Sequence, residues 1–100
     1  MQLSEKQLRF LRGRAHPLKP IIQIGQKALN SGVIAETRRA LNDHELIKLR
    51  IQAADRNARN ALLAELVAAT DSVLVTRIGH VAVLFKPTAE LSRIPLPEDT

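Results

Sequence analysis

Gly25-Gln26-Lys27-Ala28 stands between a β-branched run, Ile21, Ile22 and Ile24, and a helix cap at Asn30 or Ser31. A strand that turns at a glycine into a helix N-terminus gathers unpaired N–H groups at the positive end of the helix dipole. Lys27 adds a cation beside them. The chemistry on offer is the holding of an anion, and a phosphate fits it well. The same pattern also makes an ordinary strand-to-helix turn with one glycine, so these four residues leave both readings open.

Other chemistries find less support. The chain has three histidines, His16, His44 and His80, each at an expected boundary or turn. None has a second histidine at i+4, so no helix presents a pair to a metal. His44, between Asp43 and Glu45, reads as a solvated helix-to-strand turn before it reads as an acid–base group. There is no cysteine, which excludes disulfides and thiolate ligands. No nucleophile elbow, Walker loop or dinucleotide fingerprint occurs. Ser4 and Ser31 have the setting of helix caps. The expectation is a protein that is not an enzyme, with no cofactor, no metal and no small-molecule substrate.

The cations are more informative. Net charge is +5 over 100 residues, a balance that favours polyanionic partners. Lys6, Arg9 and Arg12 recur every third residue, with Arg14 to the flank, and none of the three has an acidic partner at i+4. Lys48 and Arg50 form a second row, and Lys19 lies near the glycine turn. Solvated outer faces and edge-strand lysines account for such rows too. Phe10 and Phe85 are the only aromatic residues. Stacking of single-stranded bases is therefore not the expected mode, and phosphate, sugar and shape would carry binding. No apolar run approaches the about 20 residues of a membrane span. The charged start of the chain lacks a signal core, so a cytoplasmic location and no membrane partner are expected.

Seven elements must position these groups. Ser4 with Gln7 forms a capping-box pattern, flanked by Leu3 and Leu8 at staple spacing. Leu8, Leu11 and Ala15 line one face of the first helix, which Gly13 and His16-Pro17 should end. Strand one starts at Ile21. Helix two carries Val33, Ile34, Thr37, Ala40 and Leu41 inward and breaks at Asn42-Asp43. From Glu45 to Ala53, Ile47, Leu49 and Ile51 alternate with Lys48, Arg50 and Gln52, a half-buried strand with a basic outer row. Asp55 caps helix three, which runs to about Thr70. Val73–Ile78 and Val81–Phe85 form a hairpin around Gly79-His80, with glycine at the first central position. The order is αβαβαββ: an α/β (α+β) single domain, a mixed four-stranded sheet packed with three helices. Strands one and two should be parallel, joined by a right-handed crossover. Residues 1–87 form the domain and 88–100 an irregular tail.

Three separated segments now carry a family resemblance: LRGRAHPLKPIIQIG (Leu11–Gly25), HELIKLRI (His44–Ile51) and IGHVAVLFKP (Ile78–Pro87). In this order they resemble the CRM domain (chloroplast RNA splicing and ribosome maturation) in its stand-alone bacterial, YhbY-type form. The resemblance runs from about Leu3 to Pro87. It implies a fold similar to the C-terminal domain of translation initiation factor three. It also implies non-catalytic binding of structured RNA, with the bacterial single-domain members associated with precursors of the large ribosomal subunit. The family's GxxG loop, similar to that of KH domains, is taken to contact RNA together with nearby basic residues. By position that implies Gly25, Gln26, Lys27 and Ala28, with Lys19 and the stripe Lys6, Arg9 and Arg12 as neighbours. Asn30 at the helix mouth, Arg14, and Lys48 and Arg50 of strand two extend the expected RNA-binding surface. The sequence departs from the pattern at Ala28, where the family usually has glycine; positive φ there would carry a steric cost for alanine.

The expected function is binding of ribosomal RNA in large-subunit assembly. Two rivals stand beside it: a protein-interaction adaptor with a basic surface, and a small enzyme acting on RNA or a nucleotide.

Overall fold

A computed structural model describes residues 2–25, 29–53, 55–87 and 94–98. The elements occur in the expected order: α1 (Glu5–Ala15), β1 (Ile22–Ile24), α2 (Ser31–His44), β2 (Leu46–Ile51), α3 (Arg56–Thr70), β3 (Val73–Ile78) and β4 (Val81–Phe85).

Each helix starts on a side-chain cap that satisfies an otherwise orphaned N–H. Ser4 Oγ accepts from Gln7 N at 3.1 Å, while Gln7 Oε1 accepts from Ser4 N at 3.0 Å, which completes the capping box. Asn30 Oδ1 accepts from Val33 N at 2.9 Å, and Asp55 Oδ1 from Ala58 N at 2.8 Å. α1 ends at His16-Pro17 as expected, and α2 ends later than expected. α1 passes through Gly13, and His16 is still right-handed helical although a proline follows. The helix stops because Pro17 has no N–H to continue the ladder. α2 likewise runs through Asn42-Asp43 to His44 and ends at Glu45, whose φ of 65° turns the chain sharply into β2. A short polar pair in the last turn is compatible with helix when the next residue makes the break.

The four strands form one sheet in the order β1-β2-β4-β3. β1 runs parallel to β2, with Ile22 opposite Leu49. β4 runs antiparallel to both β2 and β3. β1 begins at Ile22 and not at Ile21; Ile21 only donates its N–H to Lys48 O at 2.9 Å. At the hairpin, Gly79 has φ 60° while His80 does not enter the positive region, the pattern of a type II′ turn. β3 carries a bulge at Val75: Leu74 pairs with Leu84 and Thr76 with Val83. The extra residue moves Ile78 onto the same face as Val81.

The two faces of the sheet are covered unequally. On one, Ile22, Ile24, Ile47, Leu49, Ile51, Ala82 and Leu84 pack with Leu41 of α2 and with Leu63 and Leu66 of α3. On the other, Leu46, Val75, Val83 and Phe85 lie with Leu11 and Ala15 of α1. Ile94 is buried in that second cluster, and Gln7 Nε2 donates to Pro97 O at 3.1 Å. Residues 94–98 thus have no regular secondary structure, yet they are docked against α1.

Candidate nucleic-acid interface

The positions of the cations follow from these two faces. In α1, Leu8, Leu11 and Ala15 turn toward the sheet, so Lys6 and Arg9 are exposed on the far side. Arg12 and Arg14, two residues apart, stand about 160° apart around the axis. They occupy opposite flanks of the buried stripe, Arg12 half-buried and Arg14 exposed. The four helix cations do not share one surface. Arg14 rests its guanidinium 5.9 Å from the centre of the Phe10 ring.

β2 supplies the second set. Ile47, Leu49 and Ile51 point to α2 and α3, so Lys48 and Arg50 emerge on the face that carries α1. Lys48 Nζ donates to His16 O at 3.3 Å, which ties β2 to the end of α1. A cleft of about 430 Å³ opens between the α1–β1 connection and the start of β2. Arg14, Lys19 and Lys48 line it together with Leu18, Ile21 and Leu46. A second hollow, of about 390 Å³, runs along β1 and has Lys19 and Arg50 at its sides. Lys19 belongs to both. Arg14, Lys19, Lys48 and Arg50 therefore form one continuous line beside β1, whereas Lys6 and Arg9 stand away from it on the outer side of α1.

That line leads toward Gly25, where strand-end hydrogen bonds brace the sheet. Gln52 N donates to Ile24 O at 2.9 Å and Ile51 N to His80 O at 2.7 Å. His80 Nδ1 lies 2.9 Å from Ile51 O, so the hairpin tip is latched to β2 by both its main chain and its ring. Gly25 is exposed, has no positive φ, and a Cβ added there would meet nothing within 4 Å. Among the described residues, nothing around it requires a glycine. Asn30 is the cap of α2 and is exposed. Gln26, Lys27 and Ala28 lie outside the described residues.

Several residues at this surface are not marked as contacts by the sequence. Leu18 and Ile21 are 38% and 51% exposed, large aliphatic side chains at the mouth of the cleft. Asp43 and His44, at the end of α2, line the same cleft. The available signal was the stretch Pro17-Leu18-Lys19-Pro20-Ile21, in which apolar residues alternate with prolines that no helix and no inner strand can bury. Ile78, 75% exposed, was hidden by the bulge: register places it in a row with Val81, Arg50 and Gln23 across all four strands.

Among the described residues no group of three or more His, Asp or Glu side chains comes together to hold a metal. No helix among them is long and apolar enough to cross a membrane. Phe85 is fully buried and Phe10 half-buried, so neither offers a free stacking platform. The arrangement can bind an extended anion along a basic, partly apolar surface.

A sheet of order β1-β2-β4-β3 with one helix on one face, two on the other and cations along β1 defines a small binding domain. The CRS1 / YhbY (CRM) domain family matches residues 3–86, and the chain belongs to that family. A Haemophilus influenzae protein named "RNA-binding protein" is 43% identical over 95 residues, covering 95% of each chain. A Bacillus subtilis relative, named as a probable RNA-binding protein, is 39% identical over 95% of this chain and 99% of its own. The solution structure of a Staphylococcus aureus protein, described as a candidate RNA-binding protein, superimposes with a TM-score of 0.83 at 35% identity. It covers 96% of this chain and 100% of that one.

Proposed function

We propose that this protein binds structured RNA without catalysing a reaction, and that its RNA is ribosomal, in precursors of the large subunit in the cytoplasm. The observation that carries the reading is the line Arg14, Lys19, Lys48 and Arg50 beside β1, which leads toward Gly25. Its mechanism is neutralisation of successive phosphates, with sugar contacts from the sheet surface replacing base stacking. The names of full-length relatives support RNA as the ligand. The resemblance of the three quoted segments to the stand-alone bacterial CRM proteins supports the ribosomal assignment. Gln26, Lys27 and Ala28, outside the described residues, enter the proposal as expected RNA contacts.

An adaptor role has one observation in its favour, the exposure of Leu74 and Ile78 on β3. Crosslinking in cells, followed by sequencing of the bound RNA, separates the two. The RNA reading expects reads concentrated on large-subunit ribosomal RNA and its precursors. Protein partners that persist after nuclease treatment, with no enriched RNA, would favour the adaptor.

A further inference from the structure

We propose that the cleft beside the start of β2 takes one unpaired nucleotide of the bound RNA, base inward and phosphate on the cationic rim. This rests on the RNA-binding reading above and adds a subsite to it. The cleft, about 430 Å³, falls within the range of about 300–1,000 Å³ over which pockets enclose small organic molecules. Its walls are apolar at Leu18, Ile21 and Leu46, and its rim carries Arg14, Lys19 and Lys48. A ligand with a flat, weakly polar part and an anionic part matches both. Aliphatic walls and a guanidinium plane can contact the two faces of a base where aromatic rings are lacking.

A third observation concerns the strand edge. β1 pairs only with Leu49–Ile51, and Ile21 N takes Lys48 O at 2.9 Å. Among the described residues, no strand pairs with β2 on that side from Leu46 to Lys48. Main-chain groups alternate sides along a strand, so Leu46 turns its N–H and C=O the same way as Lys48, toward the cleft. A donor and an acceptor on a bare strand edge are what the hydrogen-bonding edge of a base requires. Asp43 is a carboxylate at the cleft. It disfavours a ligand made of phosphate alone and suits a base with an exocyclic amino group.

The test compares a fully paired RNA hairpin with four otherwise identical hairpins, each bearing a single-nucleotide bulge of one base. Wild-type protein is expected to bind at least one bulged hairpin roughly tenfold more tightly than the paired one, on the scale of one enclosed base. The double variant Leu18→Ser, Ile21→Ser should lose that preference, so that its affinities for the paired and the bulged hairpins become equal. A thermal melt checks that it remains folded. A 6-thioguanosine at the bulge, photoreactive and still bearing an exocyclic amino group, should crosslink to the segment Ala15–Ile21. Equal affinity of the wild-type protein for paired and bulged hairpins, or a preference that the double variant keeps, would overturn the subsite and leave RNA binding standing. Failure to bind any hairpin would overturn both.

Discussion

The two faces of the sheet do different things with the same alternation. The face under α2 and α3 closes over its centre, where Leu49, Ile51, Leu66 and Leu84 have no exposed surface, and opens at its β3 edge, where Leu74 is exposed. The face under α1 closes over only part of its area, at Leu46, Val75, Val83 and Phe85. It leaves Lys48, Arg50, Gln23 and Ile78 beyond the helix. One strand, β2, serves both, with isoleucine and leucine inward and lysine and arginine outward. Stability is thus concentrated where the strand meets two helices, and the cations proposed to bind RNA lie where one helix falls short. A strand buried on both faces could not carry cations at this density, because an unpaired buried charge is far too costly.

This comparison can be broken by substitutions that act on one face and should spare the other. The largest expected effect on stability is in the closed face. Leu66→Ala removes a fully buried side chain beneath α3 and should cost about 2–5 kcal/mol, read as a lower denaturation midpoint. Protein that remains folded should bind RNA as before. A smaller effect is expected where the two regions meet. Asn30→Ala deletes the cap of α2 and should cost about 1 kcal/mol. RNA affinity measured on Asn30→Ala sharpens the account: a drop larger than the stability change implies would make Asn30 an RNA ligand as well as a cap. On the open face, exposed charges contribute least to folding. Lys19→Gln and Arg50→Gln should shift stability by no more than about 0.5 kcal/mol, so any effect there belongs to binding.

Much of the fold is legible in the residues because local signals agree. Ser4, Asn30 and Asp55 cap the helices as their types predict, and Ile47, Leu49 and Ile51 alternate with Lys48 and Arg50 as a strand with one buried face must. Gly79 takes the positive φ that a two-residue turn demands. What escaped was set by tertiary context. The bulge at Val75 has no marker in a run of β-branched residues, yet it decides which face Ile78 joins. The flank occupied by Arg14 is fixed by where α1 lies on the sheet and by the docking of Ile94, which no periodicity encodes. The stripe Lys6, Arg9 and Arg12 was readable as a stripe. That Arg14 would join Lys19 and Lys48 instead required the fold.

The central claim is that phosphates are held by the cations beside β1 and not by those on the outer side of α1. The direct measurement is affinity for one structured ribosomal RNA fragment across a salt series, for wild type, for Lys19→Gln with Arg50→Gln, and for Lys6→Gln with Arg9→Gln. Removing one cation that neutralises a phosphate should reduce the slope of log affinity against log salt by about one. The expected slope is shallower by about two for the β1-edge pair and nearly unchanged for the α1 pair. The reverse pattern, or equal slopes for all three proteins, would contradict it.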